Sequence, residues 1–136
     1  MASGGCICGN LSYSYTGEPA VKALCHCSEC KKLTGSVFGY HWLIPRDNLT
    51  ITKGTPKTYE FTHSAGAKIK LSFCGDCGST IYKEMDAERE RPFFIVQAGT
   101  LDDQEPVNDE PNLELWVSKR EKWVPVVNGA AQNEEF

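Results

Sequence analysis

Phe73-Cys74-Gly75-Asp76-Cys77-Gly78-Ser79 is the segment on which the architecture of this chain hangs. A C-x-x-C followed by glycine forms a tight knuckle. Its backbone N–H groups turn toward the sulfurs, and the glycine takes up φ > 0. Far upstream, Cys6-Ile7-Cys8 lies beside a segment that reads as strand, and residues two apart in extended chain point the same way, so this pair offers two sulfurs to one metal. Neither pair saturates a tetrahedral ion alone, whereas four thiolates close one. Joining them staples the first strand to a late one, which ties a small domain together much as a core does.

Between these pairs lies Cys25-His26-Cys27-Ser28-Glu29-Cys30, three sulfurs within one short loop and no fourth cysteine of its own. The seven cysteines thus divide as four plus three. Structural zinc has all four positions filled by protein, and a working zinc keeps one open for water or substrate. Two other partitions are consistent with the spacing. His26 could be the fourth ligand, or Cys6 and Cys8 could join the middle cluster. Because His26 sits between two ligands it is expected to point away from their metal and make a supporting hydrogen bond. His41 is a candidate polar group in a pocket beside the open site, and His63 is expected at the surface.

The rest of the 136 residues reads as short strands between turn signals. Leu11, Tyr13 and Tyr15 alternate before Thr16-Gly17. Phe38, Tyr40, Trp42 and Ile44 alternate up to Pro45. Leu49 with Ile51, Tyr59 with Phe61, and Ile69, Leu71 and Phe73 continue the pattern. Ile81-Tyr82, Phe93 to Val96, and Leu113, Leu115 and Val117 complete it, with Phe93 to Val96 read as buried on both faces. Helix is expected only from Ser28, as cap, to Leu33, with Gly35 as stop, and as a turn from Lys119 to Trp123. The fold class is therefore mainly β, small antiparallel sheets stapled by zinc with very little helix. One domain is expected over residues 1–128, and the polar tail 129–136 is expected to fray.

Seven cysteines without a secretory leader point to a reducing compartment, the cytoplasm, and to metal ligation over disulfides. No apolar stretch reaches the length of a membrane span. The formal charge of −4 argues against a nucleic-acid surface. Binding two Zn²⁺ through seven thiolates would move that charge to about −7. Three thiolates on one Zn²⁺ leave a net charge near −1 and blunt its Lewis acidity, so activating water suits such a site poorly. Taking up an external thiol suits it well, because a coordinated thiol is deprotonated outright. Addition of that thiol to an aldehyde, or the reverse, follows.

The clusters occur in a fixed order. Gly5-Cys6-Ile7-Cys8-Gly9 comes first, then Cys25 through Ser36, then Phe73 through Ser79, then Ala98-Gly99-Thr100-Leu101-Asp102-Asp103. That order resembles the glutathione-dependent formaldehyde-activating enzyme family, which also includes centromere protein V. The resemblance implies the zinc-bearing β-tent fold. It implies a structural zinc on Cys6, Cys8, Cys74 and Cys77 and a catalytic zinc on Cys25, Cys27 and Cys30. It also implies glutathione as co-substrate and a carbon–sulfur lyase activity that forms S-(hydroxymethyl)glutathione from glutathione and formaldehyde or another aldehyde.

For that chemistry, His41, Tyr40, His26 and Lys31 are candidate donors to a developing alkoxide. Lys31, Lys32 and Arg46 are candidate partners of the glutathione carboxylates. Two alternatives stay open. One is an enzyme of the same family acting on a different carbonyl or biosynthetic substrate, with Phe38, Tyr40 and Trp42 lining its pocket. The other is a non-catalytic zinc-binding interaction module.

Overall fold

The computed structural model describes residues 1–136, and it is mainly β. The strands are β1 (Ala2–Gly5), β2 (Ser12–Tyr15), β3 (Val21–Cys25), β4 (Gly39–Pro45), β5 (Leu49–Lys53), β6 (Lys57–Thr62) and β7 (Lys68–Phe73). They continue with β8 (Thr80–Asp86), β9 (Phe93–Gln97), β10 (Leu113–Leu115) and β11 (Ala131–Gln132). One α-helix, α1, spans Ser28–Thr34. A three-stranded antiparallel sheet has the order β1-β2-β5, and an eight-stranded sheet has the order β11-β10-β3-β4-β9-β8-β7-β6. The large sheet is antiparallel except at one edge, where β10 runs parallel to both β3 and β11.

Cross-strand partners share a face of a pleated sheet, so the register sorts the large sheet into two sides. Trp42, Ile44 and Val96 are buried on one side with Tyr13, Tyr15, Leu11 and Leu49 of the small sheet, and Cys6 and Cys74 join this main core. On the other side lie Ala23 beside His41, Leu43 beside Ile95, Lys83 beside Ile95, and Leu115 beside Cys25. The four-cysteine and three-cysteine groups thus belong to opposite faces of one sheet. The Ala98–Asp103 motif fastens the small sheet to the large one. Tyr13 Oη lies 2.8 Å from Thr100 Oγ1, Asp102 N donates to Ser3 O at 2.9 Å, and Gly4 bridges Leu101.

Two expectations need correction. Ser28 is the first helical residue and not the cap. Cys27 caps, with its Sγ accepting from Cys30 N at 3.3 Å. Gly35 does stop the helix, at φ 67° in the left-handed region, and donates to Lys31 O. The tail 129–136 does not fray. Ala131 and Gln132 pair with β10, Glu135 O accepts from Trp116 N at 3.1 Å, and Phe136 packs edge-on against Trp116 with ring centres 5.5 Å apart. Its polar composition hid a strand whose stability comes from backbone pairing rather than burial.

Candidate metal centres and an adjoining cavity

The Cys74–Ser79 knuckle closes with Cys74 N donating to Ser79 O and Gly78 N to Cys74 O, both at 2.9 Å, and with Gly78 at φ 78°. The Cys6 loop meets it through Ile7 N to Ser79 Oγ at 3.2 Å and Asn10 Nδ2 to Asp76 Oδ2 at 3.0 Å. The sulfurs of Cys6, Cys8, Cys74 and Cys77 all fall within 4.8 Å of one another. Cys6 and Cys8 sulfurs are 3.5 Å apart, and Cys8 and Cys74 sulfurs 3.7 Å. A tetrahedron with zinc–sulfur bonds of about 2.3 Å needs about 3.8 Å between sulfurs, so the group fits that ion. Donors already face the sulfurs. Leu11 N points at Cys6 Sγ, 3.2 Å away, and a hydrogen bond with Ser79 holds the Cys77 thiol down to about 5.

The three-cysteine group is assembled from the end of β3, the cap of α1 and its first turn. Its sulfurs lie within 4.8 Å of one another, and the residues are 1%, 2% and 0% exposed. This group too is compatible with zinc. A residue that the sequence reading missed completes it. Lys83 on β8 is buried and its Nζ donates to Cys30 Sγ at 3.3 Å. Burial works against the lysine charge, but the neighbouring sulfurs of Cys30, Cys25 and Cys27 outweigh it and raise the Lys83 pKa. Hydrogen bonds with Cys25 and Cys27, and then the Lys83 ammonium, hold the Cys30 thiol down to about 3. Cys25 is pushed up by the same sharing. Lys83 shares the inward face of β8 with buried Met85, a placement that becomes visible only once the strand and its buried face are known.

His26 turns away from the sulfurs. Its Nε2 donates to Glu114 Oε1 at 2.8 Å, with both side chains fully buried. Glu114 also accepts from Gln132 Nε2 at 2.7 Å, Val127 N at 3.0 Å and Arg120 at 3.1 Å. Burial opposes ionisation of Glu114, but Gln132, His26, Val127 and Arg120 together hold its carboxyl down to about 2. Through His26 this carboxylate anchors the Cys25–Cys27 loop.

His63 is not at the surface. It is 4% exposed, lies tilted against the rings of Trp116 and Phe136, and forms a compact group with Cys27 and Glu29. The run from Thr62 to Ala67 carries only turn signals, and nothing in the sequence shows that its histidine folds under the tail. Ala65 N donates to His63 Nδ1 at 2.9 Å, so in the neutral ring Nε2 carries the proton. Nε2 lies 3.2 Å from Glu29 Oε2, and neither atom has a hydrogen-bond partner. Trp116, which packs on the three cysteines, has φ 56° and ψ 45°, a left-handed conformation that costs a bulky residue roughly 1–2 kcal/mol.

A cavity of about 340 Å³ opens beside the three cysteines. Cys25, His41 and Lys83 line it, and Val21, Ala23, Leu43, Phe93 and Ile95 are among its apolar walls. His41 is 2% exposed, and burial and then the Lys83 charge hold its pKa well below the usual value, so the ring is neutral. A Cβ on Gly39 would meet His41 Nε2 at 2.4 Å, so only glycine lets this ring lie against the strand opposite Cys25.

The other residues singled out from sequence do not converge here. Tyr40 lies on the opposite face of the sheet and donates to Asp109 O at 2.6 Å. Lys31 Nζ is held by Glu121, 2.7 Å away, and by Lys119 O. Arg46 pairs with Glu84 past the far end of β4, and Lys32 lines a surface depression with Tyr59 and Leu71. Phe38 packs edge-on against His26, and Trp42 is in the main core. No helix is long and apolar enough to cross a membrane.

The sequence model of the glutathione-dependent formaldehyde-activating enzymes matches residues 1–119. The chain belongs to that family. A Podospora anserina relative of this glutathione-dependent formaldehyde-activating family is 31% identical over 91 residues, covering 65% of this chain and 41% of its own length. A Fusarium vanettenii relative is 32% identical over 88 residues, covering 65% and 45%. Both are named, provisionally, after the same enzyme. The chain therefore spans less than half the length of these curated relatives. A crystal structure of a Rhodobacter sphaeroides protein matches with a TM-score of 0.61 at 18% identity, covering 80% of this chain and 97% of that one, and so shares the fold.

Proposed function

We propose that this protein is a carbon–sulfur lyase that joins a thiol, glutathione in the first instance, to an aldehyde such as formaldehyde. The observation that carries the reading is the contrast between a closed group of four cysteines and a buried group of three with a cavity against it. In this reading Cys6, Cys8, Cys74 and Cys77 hold a structural Zn²⁺, and Cys25, Cys27 and Cys30 hold a second. When bound there, zinc supplies a thiophilic position at which an incoming thiol loses its proton.

The chain's own residues do the rest. Lys83 neutralises the negative charge that three thiolates and one divalent ion leave behind, which stabilises the group in its dry setting. Neutral His41 and the Lys83 ammonium are the polar groups of the cavity wall near Cys25, and they serve the oxygen on which negative charge develops. The S–H adds across C=O: a carbon–sulfur bond forms, the carbonyl π bond breaks and the thiol proton ends on oxygen, with no redox change. The family name supports glutathione and formaldehyde as partners, and the seven thiols suit the reducing cytoplasm. A purely structural role for both clusters would need a protein ligand at the fourth position, and the His63 proton argues against its nearest imidazole filling it.

Formaldehyde adds to thiols without help, so the test is exchange at equilibrium. Two-dimensional exchange NMR should show glutathione and S-(hydroxymethyl)glutathione interconverting faster with the zinc-loaded protein than with buffer. Equal rates, or the same acceleration by a Cys27→Ser variant, would contradict the proposal.

A further inference from the structure

Formaldehyde needs almost no room, and the cavity beside Cys25 offers a great deal. Its volume of about 340 Å³ lies in the range of sites that enclose whole organic ligands. Its walls come from one face of five adjacent strands, β10-β3-β4-β9-β8, and are set by register. Val21 lies opposite Leu43, Ala23 opposite Leu113, and Leu43 opposite Ile95. The polar groups are unevenly placed. His41 and Lys83 stand with Cys25 on the sulfur side, and Arg89 and Glu90 form an ion pair of their own at 2.8 Å. His41 Nε2 is buried without a hydrogen-bond partner.

A tripeptide thiol has two carboxylates and an ammonium, and such an apolar wall would leave them without partners. The wall suits a hydrocarbon substituent whose reactive end reaches the sulfurs. Resting on the lyase reading above, we infer that the carbonyl substrate is an aldehyde with an apolar substituent, a short alkyl chain or a phenyl ring, seated between Val21, Leu43, Phe93 and Ile95 with its C=O toward Cys25, His41 and Lys83. The addition is the one already balanced: thiol sulfur to carbonyl carbon, and the thiol proton to carbonyl oxygen.

Two measurements on the zinc-loaded protein test this. Calorimetric titration with the unreactive alcohols from propan-1-ol to hexan-1-ol should show Kd tightening about three- to fourfold per methylene. The KM of the matching aldehydes, measured with glutathione by exchange NMR, should fall in parallel. Filling the space with Ala23→Leu or Val21→Trp should weaken hexan-1-ol binding at least tenfold while zinc content stays unchanged. Formaldehyde turnover with no alcohol binding and a flat KM series would overturn the inference and leave the lyase reading intact. Tight, chain-length-dependent alcohol binding with no acceleration for any aldehyde would uphold the apolar ligand and overturn the lyase reading.

Discussion

The two cysteine groups are built from similar parts and set in opposite surroundings. The four-cysteine group sits at a rim. Cys8 is exposed, Cys77 half-buried, and the group joins two loops far apart in sequence whose sulfurs already stand near tetrahedral spacing. The three-cysteine group comes from six consecutive residues, is buried, and has a buried cation, a buried histidine–carboxylate pair and a cavity beside it. A metal that staples needs ligands from distant chain segments and little else. A metal that works needs its ligands fixed locally, its charge balanced and an approach for substrate. The strain at Trp116 and the buried charges of Lys83 and Glu114 are found around the three-cysteine group, the surroundings that the proposed working metal would require.

The widest separation between the groups should come from removing one sulfur from each. Cys74→Ser should cost on the order of 5 kcal/mol or more, most of the stability of a domain this size, and give no cooperative thermal transition. Cys27→Ser should leave a folded protein with one zinc per chain and no exchange activity. Equal melting of both variants would erase the distinction. Next in size, Glu114→Ala strands four donors around a buried site and should cost about 3–5 kcal/mol in a denaturant titration, lowering zinc occupancy at the three-cysteine group only.

The sequence made the four-plus-three division legible because C-x-C and C-x-x-C spacings are local. It showed most strands because their alternation is local too. It did not show Lys83, His63 or Glu114. Each acts through a contact across the fold, Lys83 with Cys30, Glu114 with His26 and His63 with Glu29, and only pairing in three dimensions makes their burial tolerable. The carboxylate partners expected at Lys31, Lys32 and Arg46 rested on nearness in sequence to the three cysteines. Strand β4 carries Arg46 away along its length, and Glu121 occupies Lys31. Tyr40 stands apart from the cluster for a simpler reason, since its strand neighbour His41 takes the face toward it.

Smaller effects sharpen the same contrast. Lys83→Met should lower zinc affinity at the three-cysteine group about 10–100-fold, read by competition with a chelator, and leave the other group unchanged. In acid, the Glu114 carboxylate, held down to about 2, contributes stability that is complete above its ordinary value of 4.5 and is lost as pH falls from there toward 2. Glu114→Gln should flatten that part of the stability profile.

Cobalt substitution tests the central claim most directly. With Co²⁺ in both groups, glutathione should change the visible ligand-field bands and the sulfur-to-metal charge transfer of one ion per chain. Saturation should come at one equivalent, and Cys27→Ser should abolish the change. A spectrum indifferent to glutathione, or one in which both ions respond alike, would mean that the three-cysteine group has no open position for a thiol.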